Sequence, residues 1–249
     1  MKKILALVLA LCMVFALCAC GSSSGDSDTP AASPVSLNVG TGGESGTYYG
    51  YTGILGTVIG QKTDVKLTVV ATGGSKDNLV SMQDGMYDLA TVQSDVMTYA
   101  YNGTNSFADS GKIDGFRVLC ALYPETVQIV TTDPTLKTVE DLRGKRVCVG
   151  DVGSGTYFNA IDVFAAYDMT IDDVSPVYQS FGDSADALKN GQIDAAFIVA
   201  GAPTTAVTDL ATTKDTYLVS LDSEHIAKLL ETSDYYTETV IAKDVYFGD

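Results

Sequence analysis

The sequence predicts an α/β protein with two similar lobes, and three observations predict it. Strand-length apolar stretches alternate with helix-length stretches from Val35 onward. The turns from strand to helix are rich in glycine. The chain also repeats itself: GESGTYY at 43–49 recurs as VGSGTYF at 152–158, about 109 residues later, and MQDGMYDLA at 82–90 is echoed by LKNGQIDAA at 188–196, about 106 residues later. Units of strand, helix and strand with short connections form largely parallel sheets, and two such units make two lobes.

The N-terminus is not part of that fold. Lys2 and Lys3 precede an unbroken apolar stretch at 4–16, and Leu17-Cys18-Ala19-Cys20-Gly21 follows. A short cationic start, an apolar run too short to span a bilayer and small residues at its end make a secretory signal peptide, assigned to residues 1–19. Residues 20–34 lack apolar periodicity and are rich in Ser, Asp, Pro and Ala, so they read as a flexible tether.

In the first unit, 35–39 is a strand, 40–46 a glycine-rich loop, and Thr47 opens a helix to about Gly60. Residues 65–71 alternate as a strand, Thr72-Gly73-Gly74-Ser75 leads into a helix with Ser75 as N-cap, 88–92 is a strand, and a helix begins at Ser94. In the second unit the expected strands are 127–131, 146–150, 174–179 and 195–199, with helices from near Thr138, Thr156, Ser184 and Pro203. The lobes are placed at 35–121 and 122–219, with 220–249 returning to the first lobe and hinges near 121–125 and 218–222.

Composition narrows the function. The 249 residues carry a formal charge of −16, and loss of Lys2 and Lys3 with the signal makes the mature chain two units more acidic. Such a surface repels nucleic acid, whose phosphates need clustered Lys and Arg. At 46% hydrophobic and 18% charged, the chain is globular rather than a disordered acidic polymer. Of the cysteines beyond Cys20, Cys120 and Cys148 lie in apolar runs and are expected as unpaired core thiols; a disulfide is compatible with an exporting compartment but needs the two Cβ atoms within reach.

The glycine loops point to ligand binding. A glycine turn between a strand's carboxyl end and a helix's amino end admits close approach, and the first helical N–H groups lack partners and favour anions. The loops 42–47, 73–75 and 153–156 have this form, and Val92-Gln93-Ser94-Asp95 makes a fourth junction; for any single loop, the alternative is glycine serving packing alone. In Gly40-Thr41-Gly42 the dinucleotide pattern needs glycine at 45, where Ser45 stands, and no phosphate-loop ending occurs. With Arg117, Arg143 and Arg146 the only arginines, a small carboxylate would be held by backbone N–H groups, the hydroxyls of Ser45, Thr47, Ser75, Ser94 and Thr156 and the Gln93 amide, between the flat walls of Tyr48 and Tyr49. One tyrosine of that adjacent pair is expected to face the core.

An enzyme is disfavoured. The sole histidine, His225, lies far along the chain from the loops, no His/Cys cluster has metal-ligand spacing, and adjacent Asp172 and Asp173 point apart and are expected to start a turn or cap a strand. No cofactor motif is present.

Several segments are similar to a known family: GTGGESGTYY (40–49), VVATGGSKDNL (69–79), DLATVQSDV (88–96), ALYPETVQIV (121–130), DLRGKRVCVGDVGSGT (141–156) and ALKNGQIDAAFIVAGAPT (187–204). In this order, they resemble the TAXI receptors of tripartite ATP-independent periplasmic (TRAP) transporters. The resemblance implies a type II periplasmic-binding-protein fold whose lobes close over glutamate, glutamine or another small organic acid, then pass it to TRAP membrane subunits. It implies pocket residues Thr47, Tyr48, Gly74, Ser75, Gln93, Ser94, Ser154, Gly155, Thr156, Gly201 and Pro203. The segment before Gly21 resembles a lipobox, implying a diacylglyceryl group on Cys20 and a membrane anchor. Lys76, where the family often has an apolar residue, is either an extra positive group near the cleft or a helix surface charge, and the surface is the expectation. Family members continue beyond Phe247-Gly248-Asp249, so the first lobe is expected to be incomplete. A ligand-binding sensor lipoprotein and the receptor of an ABC-type importer are the alternatives.

Overall fold

Two sheets organise the computed structural model, which describes residues 34–246. The signal peptide, Cys20 and the tether as far as Ser33 lie outside the described residues. The first sheet comprises β1 (Val35–Gly40), β2 (Val65–Val70) and β3 (Leu89–Ala90), all parallel in the order β2-β1-β3. Helix α1 (Thr47–Lys62) joins β1 to β2, α2 (Ser75–Gln83) joins β2 to β3, and α3 (Ser94–Asn102) follows.

The second sheet comprises β4 (Thr126–Thr131), β5 (Arg146–Cys148), β6 (Ser175–Val177), β7 (Ala195–Ala200) and β8 (Tyr217–Val219), in the order β6-β5-β7-β4-β8. Helices α4 (Gly155–Ala166) and α5 (Phe181–Lys189) make its crossovers, and α6 (Thr205–Ala211) and α7 (Ser223–Thr232) follow β7 and β8. The sub-sheets β2-β1-β3 and β6-β5-β7 share one topology, so the sequence repeat is a repeat of structure. The second sheet is not wholly parallel: β4 runs antiparallel to both β7 and β8.

Central strand β7 (AAFIVA) is buried throughout because helices cover both faces. Its alternate residues divide between two cores: Ala195 and Phe197 meet Val163, Phe164 and Leu229 on one face, while Ala196, Ile198 and Ala200 meet Leu188, Val207 and Leu210 on the other. A third cluster joins Leu79, Val96, Ala100 and Phe107 to Phe158 of α4, so α4 also packs on the helices of the first sheet.

Several expectations need adjustment. The helix expected near Thr138 is a single 3-10 turn, Val139–Leu142, closed by Asp141 accepting from the N–H groups of Lys137 and Thr138. Strand 146–150 stops at Cys148 because the chain turns through Gly150 at φ +83°, and 174–179 shortens to β6. Helix α5 starts at Phe181, before Ser184, because Ser180 caps it, and α6 starts at Thr205 rather than near Pro203. Cys120 is exposed on an extended segment outside both sheets, whereas Cys148 is buried; both are free thiols. The segment after 220 packs mainly on the second sheet: Leu229 joins one of its cores, and the Tyr246 hydroxyl donates to buried Gln128 and accepts from the Thr204 N–H (2.9 Å). Tyr235 reaches the first lobe's helices, edge-on to Tyr99.

Candidate functional site

The carboxyl ends of the two duplicated sub-sheets meet face to face. The first-sheet loops are organised by Asn78, which is fully buried on α2. Its amide donates to the carbonyls of Thr41 (2.6 Å) and Thr91 (2.9 Å), and its oxygen accepts from the Thr72 hydroxyl (2.7 Å). One side chain thus ties together the loops after β1, β2 and β3.

Across the interface, the carbonyl of Gly153 accepts from the N–H groups of Lys76 (3.0 Å) and Asp77 (3.3 Å) at the start of α2. A carbonyl therefore occupies part of the helix end where an anion was expected, and an anion would bind there only by displacing it. Gly74 permits this approach: its φ is +111°, and an added Cβ would lie 3.3 Å from Cα of Ser154. The hydroxyl of Ser75 accepts from the Gln93 N–H (3.0 Å), and Ser154 caps α4 by accepting from the Tyr157 N–H. The Thr47 hydroxyl donates to the Gly201 carbonyl (3.1 Å), and the Ala206 N–H to the Ser45 carbonyl (3.3 Å).

The polar centre of the interface is Asn159 on α4, one turn after Gly155 and buried. It accepts from the Gln93 amide (2.8 Å) and donates to Asp95 (3.1 Å) and to the Tyr236 hydroxyl (2.7 Å), which itself donates to Asp162 (2.7 Å). Burial pushes both Asp95 and Asp162 above the ordinary carboxylate range, opposed at Asp95 by hydrogen bonds from the Val96 N–H and Asn159 and at Asp162 by Tyr236.

Gly155 is required by this centre. An added Cβ would lie 1.2 Å from the Gln93 side-chain oxygen, and Gln93 is held by Asn159. Gly155→Ala is expected to expel Gln93, loosen the contact between the sheets and destabilise the protein by about 1–3 kcal/mol. In urea denaturation the double variant Gln93→Ala/Gly155→Ala should lose clearly less than the sum of the single losses, because removing Gln93 also removes the clash; simple additivity would show that the two residues do not touch.

Beside this centre lies a cavity of about 1470 Å³, lined by Tyr48, Gln93, Ser94, Asp95, Asn159, Tyr236 and the connection 120–129 among others. Of the residues expected in the pocket, Tyr48, Gln93 and Ser94 line it. Gly74, Ser75, Ser154 and Gly155 instead form the buried contact between the loops, Thr156 is buried at the start of α4, Thr47 and Gly201 bond each other, and Pro203 is exposed. Tyr48 and Tyr49 are both half-buried, and it is Tyr48 that lines the cavity, its hydroxyl donating to Glu125 at 2.8 Å. Burial pushes the Glu125 carboxyl up to about 8, against the pull of the Tyr48 hydrogen bond, and Asp95 adds to the rise. Burial also raises Tyr48 and Tyr123.

Glu125, Tyr123, Asn159 and Tyr236 were not singled out by sequence reasoning, and Asp95 was named only as the last residue of the fourth junction. The first two stand in the YPET segment that carries part of the family resemblance, where they were read only as hinge. Lys76 is neither a cleft charge nor a plain surface residue: its ammonium donates to the Ser106 carbonyl (2.8 Å) and lies over the Phe107 ring. His225 stacks on Tyr167 (3.6 Å between ring centroids) and pairs with the N-cap Asp222, away from this cavity's polar centre. Asp173 closes a turn with Thr170 and pairs with Arg143. Among the described residues no group of three or more His, Cys, Asp or Glu could hold a metal, and no helix is long and apolar enough to cross a membrane.

Solved structures share this fold. The alkanesulfonate-binding protein SsuA from Xanthomonas axonopodis pv. citri, bound to MOPS, superposes with a TM-score of 0.52 at 22% identity, over 76% of this chain and 62% of that one. The chain thus spans less than two thirds of that protein. The amino acid ABC transporter substrate-binding protein AbpA from Streptococcus pneumoniae, bound to L-arginine, gives 0.51 at 19% identity over 75% of this chain and 76% of that one. Arginine-bound truncated ArgBP from T. maritima gives 0.50 at 19% identity over 79% and 92%. The architecture is that of type II periplasmic-binding proteins. The model of the NMT1-like family matches residues 39–249, most of the sequence, and the chain belongs to that family.

Proposed function

We propose that the protein is an extracytoplasmic solute-binding receptor, not an enzyme, that captures a small amino-acid-like or organic-acid solute between its two lobes and delivers it to a membrane importer. The observation that carries this reading is the interface itself: two duplicated units turn their strand ends toward each other, Gln93, Asp95 and Asn159 bridge them, and a cavity opens beside the bridge. A site divided between two lobes couples ligand binding to their closure. Resemblance in fold to binding proteins crystallised with MOPS or arginine supports it. Export by residues 1–19 and lipidation at Cys20 would hold the receptor at the membrane face.

For delivery, an ABC-type importer is the better supported partner, because a structurally similar protein is the receptor of one. The TAXI-like motifs support a second reading, delivery to TRAP membrane subunits. Crosslinking in native membranes followed by identification of the captured subunits separates them: a permease with nucleotide-binding subunits supports the first, a carrier without them the second. Binding itself is tested by calorimetric titration of the whole protein with amino acids, amines and organic acids. At least one compound should bind, and Gln93→Ala should weaken it by roughly 10- to 100-fold; absence of binding across the panel would end the receptor reading.

A further inference from the structure

The cavity holds a carboxyl group that has no cationic partner among the described residues. Glu125 accepts from Tyr48 and forms no ion pair among the described residues; Lys214 and Lys243 line the same cavity, yet neither pairs with it. Around it stand aromatic rings. Tyr123 lies 6.4 Å from Tyr48 and 5.5 Å from Tyr51 between ring centroids, both tilted. The Tyr123 hydroxyl is buried and has no hydrogen-bond partner among the described residues. A buried hydroxyl left unpaired is unfavourable unless something else occupies the site, and a carboxylate beside tyrosine faces suits an organic cation, which gains both the charge and the ring quadrupoles.

Resting on the receptor reading, we propose that Glu125 and the Tyr48–Tyr123 pair form a subsite for a positively charged nitrogen, an ammonium or guanidinium, of the captured solute. The ligand class is therefore an amine or a zwitterion rather than a simple dicarboxylate. The protein's negative charge draws such a solute inward. The groups facing Glu125 electrostatically are Tyr48, Tyr123 and Asp95, none of them cationic. With burial holding Glu125 up to about 8, a cation that pairs with the ionised carboxylate must release its proton at neutral pH.

The test is calorimetry on the full chain with L-arginine, putrescine and L-glutamine against glutarate, in buffers of differing ionisation enthalpy. Nitrogen-bearing probes should bind with proton release near pH 7, and Glu125→Gln, which keeps the Tyr48 hydrogen bond and the side-chain shape, should weaken them roughly 10- to 100-fold and abolish the release. Glutarate should not bind better than the cations. Binding of glutarate but of no nitrogen-bearing probe, or cation binding indifferent to Glu125→Gln, overturns the subsite and leaves the receptor reading standing. Failure of every compound in the broader panel overturns both.

Discussion

Replacing Asn78 with leucine is expected to lower the stability of the fold by about 2–4 kcal/mol, read as a lower midpoint in urea denaturation with an unchanged slope. Leucine shares the branching of asparagine at Cγ but is bulkier, so at this fully buried position the loss reports missing hydrogen bonds together with some overpacking, and no void. Once the Asn78 oxygen is gone, the single Thr72 hydroxyl proton is free to serve the Thr41 carbonyl, but the Thr91 carbonyl loses the Asn78 amide. Asn78→Asp is expected to be as damaging or worse, because a carboxylate would face the two carbonyls that the amide now serves, and ionised it cannot donate to them. The side-chain oxygen packs closely on Gly40, where an added Cβ would lie 2.7 Å from it, so a bulkier group at 78 meets the first-sheet backbone directly. The consequence reaches the site: Asn78 fixes the loops that present Gly74, Ser75 and Gln93 to the second lobe. A loss below about 1 kcal/mol would mean that other contacts hold those loops.

The sequence made the fold legible because its signals are local or periodic. Glycine turns, alternating strands and the repeated GTYY and GTYF segments gave the sub-sheets, and their common topology follows from the duplication. It could not show that β4 enters antiparallel, since an apolar strand of β-branched residues reads the same in either direction. The candidate site was half legible. The loops are where the sequence placed them, but the glycines serve close contact between the lobes: Gly155 admits Gln93 and Gly74 admits Ser154. Asn159 and Glu125 are single polar residues in otherwise ordinary segments; their roles come from partners on the other lobe, at Asp95 and Tyr48, a juxtaposition set by tertiary packing alone.

The protein is also expected to lose stability as pH rises from about 4.5 to about 8, because Glu125 is raised to about 8 by burial. An unfolded glutamate titrates near about 4.3, so in this window the unfolded chain surrenders a proton that the native chain retains. Below the window both states hold the proton and the full contribution is present; through it stability falls, and above about 8 the decline levels off. Raised Asp95, Asp151 and Asp162 add with the same sign. The opposing carboxylates, Asp114, Asp133, Asp141, Asp173, Asp194 and Asp222, are lowered by hydrogen bonds and ion pairs, so their contribution is lost only in acid, below the ordinary carboxylate range. The two sets therefore separate, and maximal stability should fall near pH 5. Between pH 5.5 and 8.5 the cost should be roughly 2–4 kcal/mol, several degrees in Tm. Glu125→Gln cannot ionise, so it should flatten most of this slope and be more stable than wild type at pH 8.5. A slope unchanged by Glu125→Gln would mean that the carboxyl ionises freely, and that the wall of Tyr48 and Tyr123 does not shield it from water.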